Sequence, residues 1–312
     1  MVSANVDHVD RRVPDFLIIG AMKAGTTAIA EMMGSHPEIY IPQSKEPTYF
    51  INHDEEFIFG DGKKAKYAYG PTRLHEYLSL FEGVPTGVLK GEASTQYLAN
   101  PSSPKLVYDS NPNTKLIVVL RDPVARAYSA YSYNRTIQRE MASTFSRALS
   151  EELNGSRDNY YFAFRYLHYG LYAQHLARWK QFFPVQQIKI VLFDNFKNNP
   201  IDFFADIAEY LNVGGFTSIE KRSFDNKTVI PKSSLQRGLW WIIEAPHPLK
   251  LFAKRYLAHN LLASLKKQLK SRLITIGASS PEMTQEDRDL IGCYFSQDLI
   301  QLKNEFGLEI DD

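Results

Sequence analysis

Lys23, Thr26 and Thr27 lie in the stretch Gly20-Ala-Met-Lys-Ala-Gly-Thr-Thr27, where two glycines five residues apart enclose a lysine and precede two hydroxyl residues. That combination suits an anion: glycines let backbone N–H groups turn inward, the lysine supplies charge and the hydroxyls add donors. The flanking residues define the elements that must carry this loop. Phe16 to Ile19 is a short apolar run that predicts a strand, and beyond Thr27 the apolar residues Ala28, Ile29, Met32 and Met33 follow helical spacing. A strand, tight loop and helix in succession aim the loop's N–H groups from the positive end of a helix, where phosphate binds readily.

Gly20 and Gly25 have the spacing of a Walker A loop, but Thr26 stands where that loop carries its lysine. In a nucleoside triphosphatase the lysine follows the glycine to reach the terminal phosphates. Lys23 comes two positions earlier, so its ammonium leans over the anion, near a departing group.

Three more sets of residues bear on chemistry. Val88 to Ser94 predicts a strand that ends in Glu92. In an open parallel sheet, ligands bind beyond the carboxyl ends of the strands, which places Glu92 in the same crevice as the Lys23 loop. There it is either a general base or an acid that orders the neighbouring loop. Lys115 to Leu120 is the clearest buried strand, and it runs into Arg121-Asp-Pro-Val-Ala-Arg-Ala-Tyr-Ser129. Pro123 suits the first turn of a helix, and Ser129 lies about two turns along it. Arg121 and Ser129 converging there would hold a second phosphate; the competing reading pairs Arg121 with Asp122. Lys45-Glu46-Pro47 puts a lysine and an acid side by side on a loop, an arrangement that by itself reads as solvated surface.

The rest of the chain supplies scaffold. Asp54 to Pro71 reads as a surface loop, and Asn159 to Tyr169 as an aromatic stretch that either stacks on a base or fills core. A helix is expected from Gly170 to Phe183, a strand from Ile188 to Phe193 and an amphipathic helix from Pro200 to Leu211. A last helix follows, capped by Thr284 with Asp287. Strands separated by helices at this rhythm predict a parallel α/β architecture.

At 312 residues the chain fits one large domain, residues 14–312, after an extension at 1–13, with a lid and basic helical region at about 215–280. Thirty-six Lys and Arg against 35 Asp and Glu leave no global charge to attract nucleic acid. The single cysteine, Cys293, excludes an intrachain disulfide and reads as a small buried side chain. No apolar run approaches the roughly 18 residues of a membrane span, and the first 13 residues lack a signal-peptide core, so the chain reads as cytoplasmic. The polar loop Asp225 to Ser234, with Lys227 and Lys232, reads as a lid over an anion. No acid occurs between Glu244 and Glu282, while lysines and arginines gather from Lys250 to Arg272; this is a solvated helix face or a dock for an acidic partner or membrane surface.

Taken in order, Lys23-Ala-Gly-Thr-Thr27, Lys45-Glu46-Pro47, Gly91-Glu92, Arg121-Asp-Pro with Ser129, and Tyr169-Gly-Leu-Tyr172 resemble the motifs of sulfotransferases that use 3′-phosphoadenosine 5′-phosphosulfate (PAPS). The resemblance is to the branch of the heparan sulfate sulfotransferases and their bacterial relatives, and it runs from about Pro14 to the last helix. It implies a P-loop-like, three-layer α/β domain with a central parallel β-sheet flanked by helices. It also implies in-line transfer of a sulfuryl group from PAPS to an acceptor hydroxyl or amine, leaving adenosine 3′,5′-bisphosphate (PAP), without a metal. By resemblance, Lys23, Ala24, Gly25, Thr26 and Thr27 take the 5′-phosphosulfate, Arg121 and Ser129 the 3′-phosphate, and Lys232 falls near the cofactor lid. Lys23 would stabilise the leaving group, Glu92 would be the base, and Lys45 would support that carboxylate or the sulfonate. The acceptor implied is a sugar, lipid, small metabolite or hydroxyacyl chain on an acidic carrier protein, the last prompted by the basic Lys250 to Arg272 stretch. A P-loop kinase or nucleoside triphosphatase using Mg-ATP is the reading from another reaction class, and a nucleotide-binding module without chemistry is the non-enzymatic one.

Overall fold

The computed structural model describes residues 13–44, 46–66, 70–216 and 283–310. The expectations for Lys45, Lys232, the lid and the basic stretch lie outside these residues.

Two apolar runs make the middle of the fold. β1 (Phe16–Gly20) and β6 (Lys115–Leu120) pair in parallel, and every residue of the two but Lys115 is buried. β5 (Leu89–Ala93) pairs with the other edge of β1, β2 (Ile39–Tyr40) with β5, and β7 (Ile188–Leu192) with β6, all parallel. The sheet order is therefore β2-β5-β1-β6-β7. Continuous apolar strands form here because helices cover both faces of a parallel sheet. The chain crosses from β5 on one side of β1 to β6 on the other, so the ends of β5, β1 and β6 meet at a switch point, where such sheets bind ligands.

Each of these three strands feeds a helix or loop at that edge. α1 (Thr26–Met33) follows β1, α2 (Leu74–Ser79) and α3 (Ser103–Ser110) precede and follow β5, α4 (Pro123–Thr136) follows β6, and α5 (Phe145–Leu153) comes after it. Asp122 caps α4 by accepting from the N–H groups of Val124 at 3.0 Å and Ala125 at 2.7 Å, a contact of about 1 kcal/mol. Its carboxylate thus serves the helix, and the reading that paired it with Arg121 gives way. α6 (Tyr172–Lys180) packs on the long helix from Gln285 to Phe306, where the buried Asp298 accepts from the N–H groups of Ala173 and Gln174. A carboxylate from a remote segment thereby caps α6, while Thr284 caps the long helix through the N–H of Asp287.

Three expectations are corrected. Residues 54–71 include a hairpin, β3 (Glu56–Ile58) against β4 (Lys64–Lys66), with Phe57 packed on Tyr161 and Phe162. Its charged outer face hid the alternation, and Gly62, at φ 78°, makes the turn. Cys293 is exposed on the long helix rather than buried, because the apolar stripe through Ile291, Phe295 and Leu302 faces the core and leaves Cys293 off it. α6 stops at Lys180, short of Phe183, with Pro184 close ahead. The aromatic stretch resolves as core: Tyr161, Phe162, Phe164, Tyr166 and Tyr169 are all buried. Among the described residues no helix is long and apolar enough to cross a membrane.

Candidate active site

The Lys23 loop is held in shape by contacts on both sides. Ala21 N–H donates to the Val119 carbonyl at 2.7 Å, which ties the loop's start to β6. Met22 N–H donates to the Tyr169 hydroxyl at 3.3 Å, and that hydroxyl in turn donates to the Thr95 carbonyl. The buried phenol of Tyr169 therefore joins the loop after β1 to the loop after β5. Lys23 adopts φ 71°, a left-handed conformation that costs an L-residue on the order of 1 kcal/mol or more, and its ammonium lies over the Tyr133 ring.

Gly25 is also left-handed, at φ 77°, and starts α1 without offering a side-chain cap. The first N–H groups of the helix thus point to the crevice edge with a lysine, Thr26 and Thr27 beside them, a cradle made of donors. Thr26 is buried and Thr27 exposed. A Cβ on Gly25 would stand 2.5 Å from the Phe193 ring. Gly25→Ala is accordingly expected to cost roughly 2–4 kcal/mol, from the left-handed backbone plus overpacking, as read by urea unfolding. A loss under 0.5 kcal/mol would show that the loop relaxes freely.

Arg121 joins the same cluster. Its Nη1 donates to the Lys23 carbonyl at 3.3 Å, its guanidinium sits 5.3 Å from the Phe193 ring centre, and Tyr172 Oη donates to its carbonyl at 2.9 Å. Phe193, first residue of α7 (Phe193–Asn198), therefore wedges both Gly25 and Arg121. Arg121 and Ser129 are each partly exposed.

Glu92 is brought to the right strand end but is sealed. It pairs in register with Leu17 and is 0% exposed. Oε1 accepts from Tyr97 Oη at 2.6 Å and Tyr77 Oη at 3.3 Å, and Oε2 accepts from Ser94 Oγ at 2.6 Å. Ser94 Oγ itself accepts from Thr48 N–H at 3.0 Å. Burial pushes the Glu92 carboxyl up from 4.5 to about 7; the hydrogen bonds from Ser94, Tyr97 and Tyr77 oppose the shift and the Glu46 carboxylate adds to it. Glu46 accepts from Thr95 Oγ1 at 3.3 Å, so it lines the same corner. Sequence reasoning placed Glu92 in an open crevice; α2 (Leu74–Ser79), which carries Tyr77, and the Tyr97 loop close over it.

Lys23, Gly25, Arg121 and Glu92 thus gather at one sheet edge, through Tyr169, which belongs to the Tyr169-Gly-Leu-Tyr172 motif, and through residues outside every motif: Phe193, Tyr133, Tyr77, Tyr97 and Ser94. Of these, Ser94 had a usable signal, since it lies two positions after Glu92 on the same side of a strand.

A parallel α/β fold that brings a lysine-bearing glycine loop after β1 and an arginine after β6 to one sheet end has the layout in which such folds bind phosphate-bearing ligands. A family model for the sulfotransferase domain matches residues 13–236, and the chain belongs to that family. It is 30% identical over 204 residues to human heparan sulfate glucosamine 3-O-sulfotransferase 6, covering 65% of this chain and 53% of that protein. It is 26% identical over 289 residues to the Drosophila melanogaster bifunctional heparan sulfate N-deacetylase/N-sulfotransferase, covering 84% of this chain and 27% of that protein. The chain spans about half the length of the first relative and about a quarter of the second. Among solved structures, a sulfotransferase from Alicyclobacillus acidocaldarius superposes with a TM-score of 0.69 at 25% identity, covering 96% of this chain and 97% of that one.

Proposed function

We propose that this chain transfers a sulfuryl group from PAPS to a hydroxyl or amine of an acceptor. The observation that carries the reading is the convergence, in a member of the sulfotransferase family, of a lysine-bearing anion loop, Arg121 and a buried carboxylate at one switch point. The residues fit such a donor: the cradle of N–H groups, hydroxyls and ammonium after β1 suits a 5′-phosphosulfate, and Arg121 with Ser129 suits a 3′-phosphate. When bound, PAPS supplies an activated sulfuryl group.

The chain's own residues then divide the work. Thr26, Thr27 and the loop amides from Lys23 to Gly25 orient the phosphosulfate, and Lys23 places its ammonium at the oxygen that departs with the phosphate. Negative charge grows on that oxygen as its bond to sulfur breaks, so a cation already in place stabilises the transition state more than the ground state. Glu92 takes the proton from the acceptor as the acceptor oxygen or nitrogen bonds to sulfur. For this the acceptor displaces Ser94 Oγ at Oε2. A carboxyl near 7 is matched to that task at neutral pH. The acceptor we favour is a sugar hydroxyl or amine, in keeping with the glucosamine named in the human relative, with lipids, small metabolites and a carrier-borne hydroxyacyl chain as further members of the class.

Calorimetry with PAP, 5′-AMP and ATP plus magnesium tests the reading. PAP is expected to bind most tightly, in EDTA as well as in its absence. Arg121→Ala is expected to weaken PAP by about 10- to 100-fold, the loss of charge-assisted hydrogen bonds, and to leave 5′-AMP nearly unchanged. Preference for ATP with magnesium, or indifference to the 3′-phosphate, would return the loop to the kinase reading.

A further inference from the structure

A cleft of about 260 Å³ opens beside the β3–β4 hairpin, and none of its lining residues belongs to the cluster of Lys23, Arg121 and Glu92. Burial grades across it. Arg165, His168 and Arg178 are half-buried, whereas Glu55, Glu56 and Asp158 are exposed, so two guanidiniums lie inside the mouth and three carboxylates around it. Nη2 of Arg178 donates to the Ala99 carbonyl at 3.0 Å and to Nδ1 of His175 at 2.8 Å, which fixes that side chain. The Nε atoms of both arginines are buried without a hydrogen-bond partner, and among the described residues no carboxylate forms an ion pair with either. Glu152, whose charge Arg165 feels, spends its oxygens on the N–H groups of Leu167 at 2.9 Å and His168 at 2.7 Å. Burial pulls Arg178 below the usual arginine range. Burial, then Arg165 and Arg178, push His168 down to about 4 against the opposing charge of Asp158, so the imidazole is neutral at neutral pH.

We infer that this cleft binds a small zwitterion, its oxyanion against Arg165 and Arg178 and its ammonium at the rim of Glu55, Glu56 and Asp158. The inference goes beyond the sulfotransferase reading and does not rest on it. A partly desolvated guanidinium without a carboxylate partner is costly, and an oxyanion relieves that cost through charge-assisted hydrogen bonds. A simple anion gains the same contacts but meets the field of the rim carboxylates. A simple cation is drawn to the rim and repelled by the arginines. An ammonium at the far end of the anion makes both ends of the cleft attractive. His168 and Asn100 add hydrogen bonding without charge, and Phe57 and Phe162 offer apolar surface to the short chain that joins the two charges. The volume, below that of sites for drug-sized ligands, selects a short one.

The test uses the full chain, with phosphoethanolamine as probe and inorganic phosphate and ethanolamine as its two halves. Calorimetry reads affinity, and the His168 ring signals in NMR, assigned with His168→Gln, read the place. Phosphoethanolamine is expected to move those signals and to bind with a Kd of about 1 mM or tighter, about five-fold more tightly than phosphate, with ethanolamine weaker than either. Arg165→Met is expected to weaken it by about tenfold. Glu55→Gln combined with Glu56→Gln changes exposed side chains only, so the fold is kept, and it is expected to abolish the advantage over phosphate without weakening phosphate itself. Unmoved His168 signals at about 20 mM phosphoethanolamine overturn the inference. So does phosphate binding as tightly as phosphoethanolamine, or an unaltered advantage in the double rim variant.

Discussion

Lys23→Met is expected to lower kcat for sulfuryl transfer by about 100- to 1000-fold, the usual effect of removing one preorganised group from a developing oxyanion. Methionine keeps the length of the arm and removes the charge. The effect is expected to be large because, on the proposed mechanism, the loop that carries Lys23 is held firmly: its backbone is left-handed, its carbonyl takes Arg121 and its neighbours are tied by Tyr169 and Phe193. Thermal unfolding is expected to move little, since the side chain is only partly buried at the crevice edge. PAP binding is expected to weaken far less than kcat, because the loop amides and Arg121 remain. A variant that keeps kcat within about threefold would remove Lys23 from the chemistry and leave it as a binding residue.

The second large effect concerns Glu92. Glu92→Gln is expected to lower kcat/KM by about 100- to 10,000-fold, the span of general base catalysis. The wild-type rate should rise with pH up to about 7 and then level off, because Glu92 must lose its proton before it can take another. That limb should vanish in the Gln variant. A wild-type profile flat between pH 5 and 8 would assign Glu92 to structure alone.

Stability should move in the opposite direction from activity. In the unfolded chain Glu92 loses its proton near 4.5, whereas in the folded chain it keeps it to about 7. Between those values the folded state binds more protons, so stability falls as pH rises through the window and is level above it. The total is on the order of 3 kcal/mol. Glu92→Gln keeps the shape of the neutral acid and escapes this loss, so urea unfolding should show it gaining on the wild type between pH 5 and pH 8. Equal differences at both pH values would show that the carboxylate is not desolvated as the fold indicates.

Much of this was written locally. The strand ahead of Gly20, the helix after Gly25, the buried run of β6 and the proline-led start of α4 are each set by a few adjacent residues, and periodicity reports them. The hairpin at 56–66 was missed because its apolar residues alternate with charges too briefly to exceed the background of a polar segment. The exposed Cys293 was misread for a related reason. A lone small residue on a helix carries no sign of which face it takes until its partners are packed.

The site divides in the same way. That Lys23 sits in a glycine loop between a strand and a helix, that Arg121 follows the end of one strand and that Glu92 lies near the end of another are properties of short segments, and the sequence alone determined them together with the parallel α/β class. The closure of Glu92 under Tyr77 and Tyr97, the pinning of two loops by Tyr169, the wedge of Phe193 between Gly25 and Arg121, and the ring beneath Lys23 came from the packed molecule. Lys23 and Tyr133 are more than a hundred positions apart, and Met22 and Tyr169 are 147 apart. Contacts at such separation leave no local spacing to read, because they depend on how α4, α6 and the loops settle against a shared sheet edge, and desolvation, unlike charge, exists only once that edge is covered.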